Sequence, residues 1–162
     1  MEQEIFKGLI AFVKEYTDIV QNNIRQGFQN RTGLSQGDFC LITFLNSEGN
    51  MRPIIDLKTG KKSEYSELLT ALFQIDFYGN NAFENISKIK TLFFSDVGCE
   101  FLKKYNIQPI EADNIINHTG DTHINEQYYK RYSFYVKVNY YNDVSLIEAR
   151  FDNVLLTTKR VN

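Results

Sequence analysis

The amino-acid sequence predicts an α+β fold, a mainly antiparallel sheet with its helices packed on one face. Three observations carry that expectation. In residues 67–78, Leu69, Ala71, Phe73, Ile75 and Phe77 are apolar while Gln74 and Asp76 face the other way, the two-residue period of a half-buried strand. Directly after Gly79 the spacing turns helical, through Phe83, Ile86, Ile89 and Phe93. Further on, Tyr132, Phe134, Val136, Val138 and Tyr140 alternate with Ser133, Lys137 and Asn139, which places the longest strand over Tyr128–Tyr141.

The remaining elements follow in chain order. A helix is expected from about Glu2 to Gln26, with Ile5, Phe6, Leu9, Phe12, Val13, Tyr16, Val20 and Ile24 along one face. A loop rich in Gly, Asn, Ser and Gln follows, and then a strand over Phe39–Leu45. Ser47 to Asn50 supply turn residues before a second strand at Met51–Leu57, where Pro53 cannot donate to a ladder and so argues for an edge or a bulge. The polar stretch Lys58–Glu64 reads as a hairpin tip, either solvated or a docking arm. Asn80 or Asn81 is suited to cap the helix that follows Gly79. Ser95 and Asp96 introduce a short second helix with Val97, Phe101, Leu102 and Tyr105 inward, and Pro109 closes it ahead of a short extended piece, Ile107–Ala112. Asp113–Glu126 reads as a long polar loop. A turn at Asn142 and Asp143 leads to a last extended stretch reaching Thr158.

The length of 162 residues suits a single domain, divided into an N-terminal helix and loop over 1–30 and an α+β core over 38–158. Hydrophobic residues make up 43% and charged residues 23%, and the formal net charge is −2. That balance provides no general attraction for nucleic acid or anionic lipid. The N-terminus carries early acidic residues and no long apolar run, which argues against a signal peptide or a membrane span. Cys40 and Cys99 lie far apart without ligand-type neighbours, and they read as two reduced, buried thiols.

Chemistry-bearing groups concentrate in one place. His118, Asp121 and His123, near Asp113 and Glu126, could reach a common divalent ion, but the segment lacks the apolar anchors that would hold ligands rigid, so a hydrated surface loop is expected and no metal. There is no Gly-rich elbow around a serine, no activated cysteine signature and no phosphate-binding motif. The reading is therefore not that of an enzyme, and no cofactor is called for. Tyr128, Tyr129, Tyr132, Tyr135, Tyr140 and Tyr141 could stack on bases but are not read as a single-strand nucleic-acid platform. On alternating strands such rings serve as core on one face and subunit contact on the other. Tyr135 and Tyr141 fall on the second face and are expected at an interface. Arg52, Lys58, Lys61 and Lys62 concentrate positive charge at the hairpin tip and form a second candidate contact.

The segments LFQIDFYGNNAFENISKIKTLF, DVGCEFLKKYNIQPIEADNI and EQYYKRYSFYVKVNYYNDV resemble the family of phage neck terminator or tail-terminator-like proteins. That family shows a strand of the form xVDFYG feeding a helix, then FLxxxGIxPL, then a long strand of the form EERxxxxxxxxY. The matching positions are Gln74, Asp76, Phe77, Tyr78 and Gly79; Phe101, Leu102, Ile107 and Pro109; and Glu126, Arg131 and Tyr140. The likeness covers most of the chain after Asp38. It implies a non-enzymatic virion protein made in the host cytoplasm, one subunit of a sixfold homo-oligomeric ring between capsid connector and tail. Neighbouring neck and tail proteins would be its partners, with DNA passing through the lumen without sequence-specific binding and no contact with a membrane. Two other classes compete: a small cytosolic binding module such as an immunity or inhibitor protein, and a metal-dependent hydrolase using His118, Asp121 and His123.

Overall fold

The computed structural model describes residues 2–28, 37–49, 53–58, 62–121, 123–124 and 127–147. Helix α1 spans Glu2–Tyr16, and strands β1 (Ile24–Gln26), β2 (Phe39–Gly49), β3 (Ile54–Lys58) and β4 (Lys62–Tyr78) follow. Helices α2 (Ala82–Phe93) and α3 (Asp96–Lys103) precede β5 (Gln108–Ala112), β6 (Ile116–Asn117), β7 (His123–Ile124), β8 (Gln127–Tyr128) and β9 (Arg131–Ile147). Among the described residues one sheet holds seven strands in the order β1-β2-β4-β9-β5, with β3 added to β4 and β6 to β9. Every pairing in it is antiparallel except β1 with β2. The α+β architecture is the expected one.

Its spine is the β4–β9 ladder, in register from Lys62↔Ile147 to Tyr78↔Arg131 without a break. Odd positions of β4 and even positions of β9 form the inner face: Ala71, Phe73, Ile75, Phe77, Phe134, Val136 and Val138 are all buried. Against them pack Leu9, Phe12 and Val13 of α1 and Ile86, Ile89 and Phe93 of α2, in one contiguous core. Aromatic edges interlock there, with Phe6 on Phe73 and Phe12 on Phe93 at centroid distances of 5.4 and 6.2 Å.

Several boundaries differ from the expectations, each for a local reason. The first helix stops at Tyr16 rather than Gln26, because Thr17 Oγ1 donates to the Val13 carbonyl (2.7 Å) and accepts from the Ile19 amide (3.4 Å) in place of the next helical turn. Val20 is consequently 63% exposed, and Ile24 joins the core from a strand, parallel to β2 and opposite Cys40. Strand β2 runs through Ser47 to Gly49 instead of turning there, after a bulge between Phe44 and Asn46. The second strand begins at Ile54, and Pro53 stands just outside it on an edge. Lys58 pairs with Lys62, which confirms a β3–β4 hairpin.

Helix α2 buries Ala82, Ile86, Ile89 and Phe93, a stripe one residue earlier at its start than expected. Phe83 is 58% exposed and leans on Tyr132 at the rim of the sheet. In α3, Ser95 caps as expected, accepting from the Gly98 amide at 3.1 Å. A side chain at Gly98 would strike the Leu92 carbonyl, so α3 presses Gly98 against the end of α2 and turns Val97 outward, 56% exposed. Tyr105 is 36% exposed and packs against Phe101, whereas Leu102 is buried. The described part of the polar stretch expected at Asp113–Glu126 is tied to the sheet rather than free of it. Its Asp113 and His118 amides donate to the Tyr135 and Arg131 carbonyls, and β6 pairs with Tyr132 and Ser133, because the edge of β9 offers acceptors there. The expected turn at Asn142 and Asp143 is absent: both continue the ladder, and the Asp143 carboxylate accepts from Ser66 Oγ across it at 2.6 Å. Cys40 is buried, but Cys99 is only half-buried, and both are free thiols. The expected extension to Thr158, like Arg52, Lys61 and Glu126, lies outside the described residues.

Gly79 sets the strand-to-helix corner. Its φ of +109° suits glycine alone, and a Cβ there would meet Asp38 Oδ1 and lie 2.8 Å from Asp38 Cα. Gly37, with φ +79°, has open space around it. Gly79→Ala is therefore expected to lower unfolding stability by about 2–4 kcal/mol and Gly37→Ala by only about 1 kcal/mol. Urea unfolding of the two variants checks the difference.

Candidate assembly interface

The outer face of the sheet, away from the helices, is built from the even positions of β4 and the odd positions of β9. Asp76 and Arg131 come from opposite strands at the end nearest Gly79. Arg131 donates through Nε to Asp76 Oδ1 at 3.0 Å, its Nη2 lies 3.0 Å from the same oxygen, and Gln74 Nε2 donates to both carboxylate oxygens at 3.0 Å. Asp76 is only 3% exposed. A carboxylate so far from water is tolerable because these donors replace its hydration.

An aromatic stack encloses this pair. Tyr78 lies 4.3 Å from Phe39, nearly parallel, with Tyr129 against both, and the Arg131 guanidinium sits 5.4 Å from the Tyr78 ring centre. Tyr129 OH donates to the Gly37 carbonyl at 2.8 Å, and the Gly79 amide donates to the Lys130 carbonyl at 3.1 Å. The same corner meets the start of α2: Asp38 accepts from Asn81 Nδ2 at 2.7 Å, so Asn81 binds Asp38 and makes no side-chain cap. Burial first, then the Asp76 charge, pushes the Tyr78 phenol up to about 12, partly offset by Arg131. Burial, then Asp76, likewise raises the Cys40 thiol.

Along the rest of this face, cross-strand side-chain pairs repeat. Thr70 Oγ1 donates to Asn139 Oδ1 at 2.6 Å, and Lys137 Nζ lies 2.6 Å from Glu111 Oε2 on β5. The Glu111 hydrogen bond and charge raise the Lys137 ammonium above its ordinary range. Tyr135 and Tyr141 fall on this outer face as expected, six positions and so about 20 Å apart. Tyr135 is half-buried and Tyr141 is 57% exposed. At the β9 edge beside Tyr141, on the side of α1 and α3, open two adjoining grooves of about 450 and 440 Å³ that share Asn106, Tyr140 and Tyr141.

Beyond Tyr141 the sheet continues as a three-stranded arm of β3, β4 residues 62–66 and β9 residues 143–147. In the arm Asp143, Val144 and Ser145 are exposed, while Tyr65 and Ser66 are half-buried. Lys58 and Lys62 pair at its hairpin end, near the Tyr141 end of the face and far from Tyr135. Arg52 and Lys61 lie outside the described residues. His118 lies beside β9, its amide bonded to the Arg131 carbonyl, whereas Asp121 ends a short 3-10 turn and His123 pairs with Tyr128 in a separate two-stranded sheet. Among the described residues no group of three His, Cys, Asp or Glu side chains is placed to hold a metal ion.

The sequence placed Gln74 and Asp76 on the outer face of the strand by alternation and named Tyr78 and Arg131 as matching positions of the family pattern, without pairing Asp76 with Arg131. The partial signal was Asp76 itself, since a carboxylate within an apolar alternation calls for a cation, but nothing local in the sequence says which one.

Residues 3–158 match the sequence profile of a family described as phage neck terminator protein. Among solved structures, the cryo-EM structure of an extracellular contractile injection system, the PVC sheath/tube terminator in its extended state, superposes with a TM-score of 0.46 and 10% identity. The superposition covers 100% of this chain and 64% of that one. A search of curated proteins gives no match.

Two predictions follow from the corner. Arg131→Ala, which strands Asp76, should cost about 2–4 kcal/mol, and Asp76→Ala combined with it should cost clearly less than the sum of the single variants in a double-mutant unfolding cycle. Equal additivity would deny the pairing. Above the ordinary tyrosine range the unfolded chain releases the Tyr78 proton while the folded chain retains it, so stability falls as pH rises from about 10 to about 12. Tyr78→Phe should make that fall shallower in urea midpoints measured across this window, leaving the contributions of Cys40, Tyr129 and Lys137, whose protons are also held more tightly in the folded chain.

Proposed function

The chain belongs to the phage neck terminator family, and on that premise we propose that it is one subunit of a closed ring, sixfold, joining the capsid connector of a tailed phage to its tail. The profile match over residues 3–158 carries this reading, because it spans the helices, the sheet and the arm together. The role is structural and non-enzymatic, and the whole chain acts as one domain in the virion after synthesis in the host cytoplasm.

Physical features support the ring. One face of the sheet is covered by helices over the half nearest Gly79, and the other presents paired polar groups punctuated by Tyr135 and Tyr141, rings that combine apolar area with a hydrogen-bonding tip. Closed rotational symmetry joins two different surfaces of each subunit, and the outer face and the arm are two such surfaces. A formal charge of −2 provides no general grip on DNA, which suits a lumen that lets the duplex slide. The basic arm with Arg52, Lys58, Lys61 and Lys62 is assigned to the neighbouring subunit or the adjoining ring.

Negative-stain images of the purified protein should show closed rings, and monomers at all concentrations would contradict the reading. Tyr135→Ser with Tyr141→Ser should weaken assembly in equilibrium sedimentation while circular dichroism stays native, since Phe134, Val136 and Val138 are untouched. Replacing the four basic residues with Ser should lower the affinity of the docking step and reduce its salt dependence.

A further inference from the structure

The arm has two open backbone edges. On one side of β4, β2 pairs as far as Leu69 and β3 takes over from Ser66 to Lys62. On the other side β9 is flanked by β6 and β5 only as far as Asn139, so among the described residues its outer edge from Tyr140 to Ile147 has no strand beside it. The outer edge of β3 is equally open among the described residues. Edges of this kind display unpaired amides and carbonyls and recruit another strand unless blocked. Neither edge is blocked by proline, since Pro53 stands outside β3 and residues 143–147 contain none.

The two edges match one another. Residues 54–58 and 143–147 pair with the same five residues of β4, 62–66, from opposite sides, and Asp56 and Ser145 both face Glu64. They are equal in length, level in height and on opposite flanks of one arm. Both run antiparallel to β4 and therefore parallel to each other. Rotation about an axis along the strands preserves strand direction, so copies set side by side around such an axis bring the β3 edge of one against the β9 edge of the next, in parallel.

We propose that the arm assembles by this edge-to-edge pairing between neighbouring copies of the chain, β3 of one adding to β9 of the next. This rests on the subunit reading above and supplies its contact. The contact is heterologous, repeats identically around a ring, and leaves no open arm edge when the ring closes.

The test is disulfide trapping in the full-length chain carrying Cys99→Ser, with Asp56→Cys combined in turn with Asp143→Cys, Ser145→Cys or Ile147→Cys to allow for register. Within one copy β3 and β9 lie two strand spacings apart, about 9–10 Å, beyond disulfide reach, so a bond reports a neighbour. One double variant should give a ladder of linked multimers on mild oxidation, at least tenfold above either single variant. Assembly seen by sedimentation without such a ladder would overturn the edge pairing while leaving the ring intact. Monomers with no ladder would overturn both. A ladder that appears only after residues 148–162 are deleted would show that the chain's own C-terminal segment occupies the edge, which also overturns the proposal. Circular dichroism on each variant confirms that the chain is folded before trapping.

Discussion

The structure depends on one uninterrupted antiparallel ladder. Strands β4 and β9, each of 17 residues, pair from end to end and extend roughly 55 Å. Only the half nearest Gly79 is covered by helices, and there the inner residues are dry and the strands are held by core burial as well as by hydrogen bonds. In the distal half the hydrogen-bonded ladder continues, but the side chains described there are half-buried or exposed. A three-stranded ribbon without a buried core is marginal on its own, and pairing in trans is a direct way for such a ribbon to gain stability. The division of one ladder into a packed half and a bare half thus links the fold to assembly.

The packed half ends in a corner where several demands meet in six consecutive residues. In QIDFYG, Ile75 and Phe77 enter the core, Gln74, Asp76 and Tyr78 build the ion pair and aromatic stack on the opposite face, and Gly79 lets the chain pass against Asp38 into α2. Arg131 closes the arrangement from the far strand. A buried ion pair contributes modestly to net stability, but it penalises misalignment heavily, because a one-residue slip would place Asp76 among the core side chains and leave Arg131 without its partner. The pair therefore acts as a register pin for the whole ladder, and the distal arm inherits its alignment from it.

Much of this was legible in the sequence. The period-two runs marked the inner residues of β4 and β9, and because alternation is strict, Tyr135 and Tyr141 could be placed on the outer face before any coordinates. Periodicity was less informative at ends. The helical stripe through Val20 and Ile24 fits the pattern, yet the Thr17 hydroxyl ends α1 first. The turn residues Asn142 and Asp143 remain in the strand because β4 supplies partners. Phe83 and Val97 look like core by residue type, but helix rotation is decided by close approach, at Ala82 under the sheet and at Gly98 against α2, and small residues carry little hydrophobic signal. The Asp76–Arg131 contact joins residues 55 apart, which a local pattern does not encode.

Residue-resolved amide hydrogen exchange on the protein, compared below and above the concentration at which it assembles, tests the division of the ladder most directly. The slowest amides should lie in residues 70–78 and 131–139, with the arm residues 62–66 and 143–147 exchanging quickly in the dissociated protein and slowing on assembly. Arm amides already as protected as the core in the dissociated protein, or unchanged on assembly, would contradict the view that one half is held by the core and the other by a neighbour.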